Sequence, residues 1–235
     1  MQASDRLIVA ADLSTRDEIL ALADEMRGVA GLIKIGLQAF VANGPSLVRE
    51  VVDRGVRVFL DLKLHDIPNT VQHAVREAEK LNVAMLTVHA SGGRTMLIAA
   101  NSDNLLVLGV TILTSLDDGS LCEIGFEDDV TMSVQRLAVL AKESGLRGVV
   151  ASPLEIRAIR DACGDALTIV APGVRPEGSD RGDQSRTMTP RAAIAAGADY
   201  IVVGRPITQA DDPKAMAESF INHIREAETP AGKPS

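Results

Sequence analysis

The chain has 235 residues, of which 46% are hydrophobic and 24% are charged, a balance that is typical of a folded globular protein. A formal net charge of −8 and an aromatic content of 2% argue against a general nucleic-acid-binding protein, which needs a basic surface and stacking aromatics. No apolar run reaches the roughly 18 residues of a membrane span, and the N-terminus lacks a signal-peptide pattern.

Two cysteines, Cys122 and Cys163, are the only ones in the chain. They form no C-x-x-C pair, and no histidine follows at a metal-ligand spacing. We therefore predict two free thiols in a reducing compartment, which indicates a cytoplasmic protein.

Eight short apolar runs are predicted to be strands. They are rich in Val, Ile and Leu and do not alternate with polar residues, as is typical of strands buried on both faces of a parallel sheet. The predicted strands cover residues 7–12, 31–36, 56–63, 85–90, 105–113, 148–152, 167–173 and 200–205.

Amphipathic segments between these runs are predicted to be helices. Ser14 is the expected N-cap of the first helix, and Asp212-Pro213 is expected to begin the last one, which runs to about Arg225. Gly44-Pro45 should bend the second helix. The remaining predicted helices cover residues 37–54, 69–82, 92–101, 131–144, 153–163 and 190–197.

This strand–helix alternation predicts a (β/α)8 TIM barrel, formed as a single domain by residues 1–235. Residues 228–235 are rich in Pro and Gly and are expected to be a disordered tail. A doubly wound open sheet is the main alternative. The strand count favours the barrel, and no G-x-G-x-x-G follows the first strand.

Charged residues are concentrated where the predicted strands end, which is the active-site end of such a barrel. Because side chains alternate along a strand, Asp61 and Lys63 should share a face, with Phe59 further down and Lys34 one strand away. A single buried ion pair can be purely structural. Several charges at one barrel end favour a functional site instead.

A second group of residues predicts a phosphate site near the last two strands, where barrels of this type often bind phosphate. Arg205 directly follows Gly204, and Arg175 opens a polar segment that runs to residue 189. We expect this segment to be either a lid, from which Gln184 reaches a phosphate, or a disordered, solvated surface loop.

The decapeptide Asp61-Leu62-Lys63-Leu64-His65-Asp66-Ile67-Pro68-Asn69-Thr70 resembles the signature of the orotidine 5′-phosphate decarboxylase family, D-x-K-x-x-D followed by I-P-N-T. The resemblance is to the compact bacterial form and extends over residues 7 to 225. Other matching blocks, in order, are residues 11–12, 34–36, 88–93, 113–115, 172–176, 182–184 and 203–208.

This resemblance implies a homodimer that converts orotidine 5′-monophosphate to uridine 5′-monophosphate and CO2 in pyrimidine biosynthesis, without a metal or organic cofactor. It implies that Lys63 donates a proton, that Asp61 orients Lys63, and that Asp66 reaches the partner's site. The implied substrate-binding residues are Asp12 and Lys34 at the ribose, Thr70 reaching the partner's ribose, Thr114 at the pyrimidine, and Arg175, Gln184, Gly204 and Arg205 at the phosphate.

Two alternatives remain open at this point. Sugar-phosphate enzymes of the same superfamily, such as 3-keto-gulonate 6-phosphate decarboxylase or hexulose-phosphate synthase, share D-x-K-x-x-D but use Mg2+ to stabilise an enediolate. The I-P-N-T block and Gly182-Asp183-Gln184 disfavour them. The other alternative is a catalytically silent sensor of a phosphate ligand, which the intact Asp61, Lys63 and Asp66 set disfavours.

Overall fold

A computed structural model describes residues 1–176 and 187–228, and its sheet is a closed barrel of eight parallel strands. Each strand pairs with its neighbours in sequence, and β8 pairs with β1. This closure confirms the predicted TIM barrel and excludes an open doubly wound sheet. Strands β1 to β8 are Leu7–Ala10, Leu32–Gly36, Val58–Leu64, Met85–His89, Leu106–Val110, Gly148–Val150, Thr168–Ala171 and Tyr200–Val203.

Helices surround the barrel, and none of those in the described ranges is both long and apolar enough to cross a bilayer. Short 3₁₀ helices occupy Ser4–Arg6, Ala90–Gly92 and Pro153–Glu155. Helices α1 to α10 are Arg16–Met26, Leu37–Asp53, Pro68–Glu79, Gly93–Ala99, Asp118–Glu123, Val130–Glu143, Ile156–Cys163, Pro190–Ala196, Arg205–Thr208 and Pro213–Glu228. The predicted tail lies outside the described residues except for Glu228, which ends α10.

Several predicted boundaries were wrong by a few residues. β5 ends at Val110 rather than at Leu113, and β1 ends at Ala10, so Asp12 lies in the loop that follows. Helices α5 and α9 were not predicted. With six and four residues respectively, they are too short to show a helical repeat.

The predicted N-cap of α1 was wrong, whereas the predicted bend in α2 is confirmed. Thr15, not Ser14, caps α1, because its hydroxyl accepts the Glu18 N–H while the Glu18 carboxylate accepts the Thr15 N–H. Gly44 has a φ of 68° inside α2, ahead of Pro45, and this non-helical residue bends the helix.

The core has two layers because successive strand residues face opposite sides of the sheet. Leu7 and Val9 of β1 face the helices, and Ile8 and Ala10 face the barrel interior. The inner layer fills the barrel below its C-terminal mouth, as expected for this fold. Its buried members are Ile8, Ala10, Leu32, Phe59, Met85, Leu108, Val170 and Val202.

The two cysteines are both free, as predicted, with Cys163 buried in α7 and Cys122 exposed in α5. Burial raises the pKa of the Cys163 thiol, and the nearby Lys142 and Arg160 oppose that rise only in part. Cys163 therefore behaves as a small apolar side chain of the outer core layer.

The inner layer gives a stability prediction. Leu108→Ala should lower the free energy of unfolding by about 2–5 kcal/mol, because it removes buried apolar atoms and leaves a cavity inside a closed barrel. Ile98→Ala on the exposed face of α4 is the control and should change it by less than about 0.5 kcal/mol. Urea denaturation monitored by circular dichroism measures both, and equal effects would contradict the two-layer core.

Candidate active site

A cavity of about 500 Å³ opens at the C-terminal ends of the strands. Apolar side chains of the inner layer, including Phe59 and Val202, form its floor. Eight of the predicted site residues line this one cavity: Asp12, Lys34, Asp61, Lys63, Thr114, Arg175, Gly204 and Arg205.

Four charged side chains alternate in sign along one wall of the cavity. The Lys34 Nζ lies 2.9 Å from Asp12 Oδ1 and 3.8 Å from Asp61 Oδ2. The Lys63 Nζ donates to the same Asp61 Oδ2 at 2.8 Å. We call these four residues the charged array. Each ammonium lies beside a carboxylate, so the array carries two positive and two negative charges.

Burial makes the members of the charged array depend on one another. Lys34 and Asp61 are each only 9% exposed, and a buried charge without a partner is costly. Asp61 touches both ammonium groups, so loss of its carboxylate would leave two cations side by side. The array thus maintains a strong, fixed electric field in the cavity.

Strand β3 leaves its regular register where the array begins. Leu60 pairs with Leu86 of β4, but the next paired residue, Leu64, lies opposite Val88. Residues 61–63 therefore form a bulge, and Lys63 takes a φ of 51°. Simple alternation predicted the Asp61–Lys63 contact correctly, yet the backbone achieves it through an irregularity that alternation does not describe.

Two further residues of the site were missed at the sequence level. Thr87 is buried at the bulge and contacts both Asp61 and Lys63. Gly36 lies against the array, because a Cβ added there would be 2.9 Å from the Lys34 Nζ and 3.1 Å from Asp12 Oδ1. Gly36 could have been found from the sequence, because it belongs to the matching block of residues 34–36. Thr87 has no sequence signal, since threonine is common in strands.

Comparison with known proteins identifies the family. The model of the "Orotidine 5'-phosphate decarboxylase / HUMPS family" matches residues 5–220. The chain belongs to this family. The resemblance seen in the sequence motifs is therefore confirmed.

Relatives in this family are similar over nearly their whole length. The orotidine 5'-phosphate decarboxylase of Moorella thermoacetica is 52% identical over 236 residues, covering 95% of this chain and 94% of that protein. The one of Haemophilus influenzae is 46% identical over 224 residues, covering 92% and 97%. The crystal structure of the Lactobacillus acidophilus orotidine 5'-phosphate decarboxylase has a TM-score of 0.82 at 34% identity, covering 93% and 98%.

The segments after β7 and β8 of this family member carry the predicted phosphate residues of the cavity. Arg175 follows β7, and Gly204 and Arg205 follow β8, where Arg205 begins α9. The Arg175 N–H donates to the Met188 carbonyl at 3.0 Å, so the two ends of the predicted lid are joined. Gln184 and the rest of the lid, residues 177–186, lie outside the described residues.

Asp66 and Thr70 do not line the cavity of their own chain, unlike the other described site residues. Both are exposed, on the loop after β3 and in the first turn of α3. Asp66 Oδ1 accepts the N–H of Ile67 at 2.6 Å, and the apolar Ile67 side chain is 65% exposed. Their contribution to a partner's site stays a prediction.

Two histidines lie near Lys63 and Asp61 of the array. The rings of His65 and His89 are 5.4 Å apart, and His89 ends β4. Burial lowers the pKa of His89, the neighbouring His65 and Lys63 lower it further, and Asp61 opposes them. Within residues 1–176 and 187–228, no three His, Cys, Asp or Glu side chains are grouped to hold a metal ion.

His89 gives a pH prediction. Its pKa is lower in the folded than in the unfolded protein, so the unfolded state takes up a proton first as the pH falls through about 6.5. His89 therefore lowers the stability of the fold progressively below that pH. In His89→Gln, the melting temperature should fall less steeply between about pH 7.5 and 5. His73→Gln, at an exposed position of α3, is the control for loss of one imidazole. An unchanged slope in His89→Gln would contradict this assignment.

Proposed function

We propose that this protein decarboxylates orotidine 5′-monophosphate to uridine 5′-monophosphate and CO2, a step of pyrimidine biosynthesis, without a cofactor and in the cytoplasm. The observation that carries the proposal is the 2.8 Å contact of the Lys63 ammonium with Asp61 inside the cavity of a family member. The family name covers more than one activity, whereas relatives at 46–52% identity are named as the decarboxylase.

The chemistry requires a cation at the reacting carbon. When the bond from C6 to the carboxylate breaks, the electron pair stays on C6 and no adjacent group can delocalise it. The Lys63 ammonium stabilises this developing carbanion and then transfers one Nζ proton to C6. Its contact with Asp61 orients the ammonium before the substrate arrives, so that little reorganisation is needed.

Asp61 has a second role in this proposal. Its carboxylate lies beside the position of the substrate carboxylate, so departure of neutral CO2 removes a like charge from the site. This repulsion favours bond cleavage, and the two lysines offset it enough for the substrate to bind. Asp12 and Lys34, joined at 2.9 Å, bind the ribose hydroxyls, and Thr114 lies by the pyrimidine.

The phosphate is proposed to bind to Arg175, Gln184, Gly204 and Arg205. Arg175 and Arg205 line the cavity, and their cationic side chains suit a phosphate dianion. Binding energy at this remote group contributes to catalysis when it closes the site and excludes water. Local charge of this kind also explains how a protein with a net charge of −8 binds an anionic substrate.

A homodimer is proposed because Asp66 and Thr70 lie outside the cavity of their own chain. Exposed Ile67 between them supports an apolar contact with a second subunit. In the dimer, Asp66 extends the partner's charged array and Thr70 closes its ribose end.

The first test follows the absorbance of orotidine 5′-monophosphate after addition of the protein, with and without EDTA. We expect rapid loss of substrate that EDTA does not affect. Lys63→Ala should abolish turnover because it removes the proton donor, and Lys80→Ala on the surface is the matched control. No turnover by folded wild-type protein, or activity that depends on Mg2+, would favour the sugar-phosphate enzymes instead.

The phosphate assignment predicts a substrate-dependent loss in Arg205→Ala. Charged hydrogen bonds contribute roughly 1.5–3 kcal/mol, so kcat/KM for the nucleotide should fall on the order of 10- to 100-fold. Activity on orotidine, which has no phosphate, should change little. Arg157→Ala, at an exposed position of α7, is the control. Equal losses with both substrates would place Arg205 outside phosphate binding.

The shared site predicts complementation between two inactive variants. A dimer of one Lys63→Ala chain and one Asp66→Ala chain contains one site with both residues intact. Random exchange at equal concentrations should therefore restore about a quarter of the wild-type activity, since half of the dimers are mixed. Mass spectrometry of the intact dimers verifies the exchange. Mixed dimers without activity would argue that each chain supplies its own Asp66.

A further inference from the structure

We propose that Thr87 is a positioning residue for the charged array, because its hydroxyl fixes the Asp61 carboxylate and the Lys63 backbone in one hydrogen-bonded unit. The proposal rests on the proposed decarboxylation for its kinetic consequences. Its geometric basis is independent of the reaction, because it depends only on the register of β3 against β4 and on two hydrogen bonds.

Thr87 is the one β4 residue that lies opposite the bulge. Before the bulge Leu60 pairs with Leu86, and after it Leu64 pairs with Val88. Three residues of β3, 61–63, therefore lie opposite a single residue of β4. A bulge of this size breaks the ladder of backbone hydrogen bonds, and its polar groups need other partners.

The Thr87 hydroxyl supplies those partners at both ends of the bulge. It accepts the Lys63 N–H at 2.8 Å and donates to Asp61 Oδ1 at 2.9 Å. A hydroxyl has one proton, and the ionised carboxylate can only accept, so the direction of the relay is fixed. The relay runs from the Lys63 backbone through Thr87 to the Asp61 side chain.

This relay divides the two oxygens of Asp61 between different tasks. Oδ1 is held by Thr87, and Oδ2 remains for the ammonium groups of Lys63 and Lys34. Rotation of the carboxylate would break the bond to Thr87. The Thr87 hydroxyl therefore fixes Oδ2 of Asp61 as the oxygen that faces the lysines. It thereby sets the position to which Asp61 attracts the Lys63 Nζ.

The same hydroxyl stabilises an unfavourable backbone conformation. A φ of 51° is uncommon for lysine and is unfavourable unless the surroundings hold it in place. Thr87 is fully buried and is not among the cavity-lining residues. It therefore acts through Asp61 and Lys63 rather than by touching the substrate.

The test compares Thr87→Val, which keeps the shape and removes the hydroxyl, with Thr87→Ser, which keeps the hydroxyl. We expect kcat of Thr87→Val to fall on the order of 10- to 100-fold, with KM and the dissociation constant of uridine 5′-monophosphate within about twofold of wild type. Thr87→Ser should retain kcat within about threefold. Amide hydrogen exchange at Lys63 should be faster in Thr87→Val only.

Thr111→Val is the matched control. Thr111 is also a buried threonine near the barrel mouth, but its hydroxyl donates to the Val150 carbonyl and does not contact the array. We expect Thr111→Val to lower the melting temperature about as much as Thr87→Val does, but to leave kcat unchanged. Thr87→Ala replaces Thr87→Val if the latter does not fold.

The outcomes separate the two proposals. Wild-type protein without decarboxylase activity overturns the proposed function. If the wild type is active but Thr87→Val has an unchanged kcat, the role of Thr87 alone is overturned. The same holds if the Lys63 amide exchanges equally fast in the wild type and in Thr87→Val. A fall in kcat that Thr111→Val matches, or that Thr87→Ser does not rescue, identifies a purely structural residue, as does failure of both Thr87→Val and Thr87→Ala to fold.

Discussion

Mutual neutralisation of four charges, of which Lys34 and Asp61 are buried and Asp12 is exposed, is the constraint on which the site depends. Asp12, Lys34, Asp61 and Lys63 alternate in sign along one wall of the cavity. Lys34 and Asp61 are each only 9% exposed, and burying either charge without a partner would be costly. The barrel supplies what such an array needs, because adjacent parallel strands bring their C-terminal ends to one rim and keep them at a fixed spacing.

The array and the fold impose opposite demands on the chain. Apolar packing in the inner layer favours regular strands, whereas the array needs a bulge, a lysine with positive φ and a glycine that leaves room beside Lys34. The regular part of β3 ends at Leu60, and the irregular part begins with the next residue, Asp61. Below this level the barrel is a conventional packed core.

The sequence allowed prediction of the barrel because its eight strands are buried on both faces and therefore appear as continuous apolar runs. It also allowed prediction of the cavity wall, since the charged residues lie in or directly after the C-terminal parts of those runs. The bulge was not predictable, because Leu62 and Leu64 look like ordinary strand residues. Thr87 matters only through the register of β4 against β3, which local pattern does not contain. The position of Asp66 relative to a second chain was not predictable from local sequence patterns, because it depends on how the surfaces of two chains pack together.

The filled interior of the barrel limits the routes by which small molecules can enter and leave the cavity. Side chains such as Phe59, Leu108 and Val202 close the lower half, so the cavity ends blindly beneath the array. Among the described residues, the cavity opens at the C-terminal ends of the strands, where Arg175 and Arg205 line it. On the proposed function, CO2 would form at this closed end, beneath the path that the bound nucleotide would occupy, so the departure of both products would share a single passage.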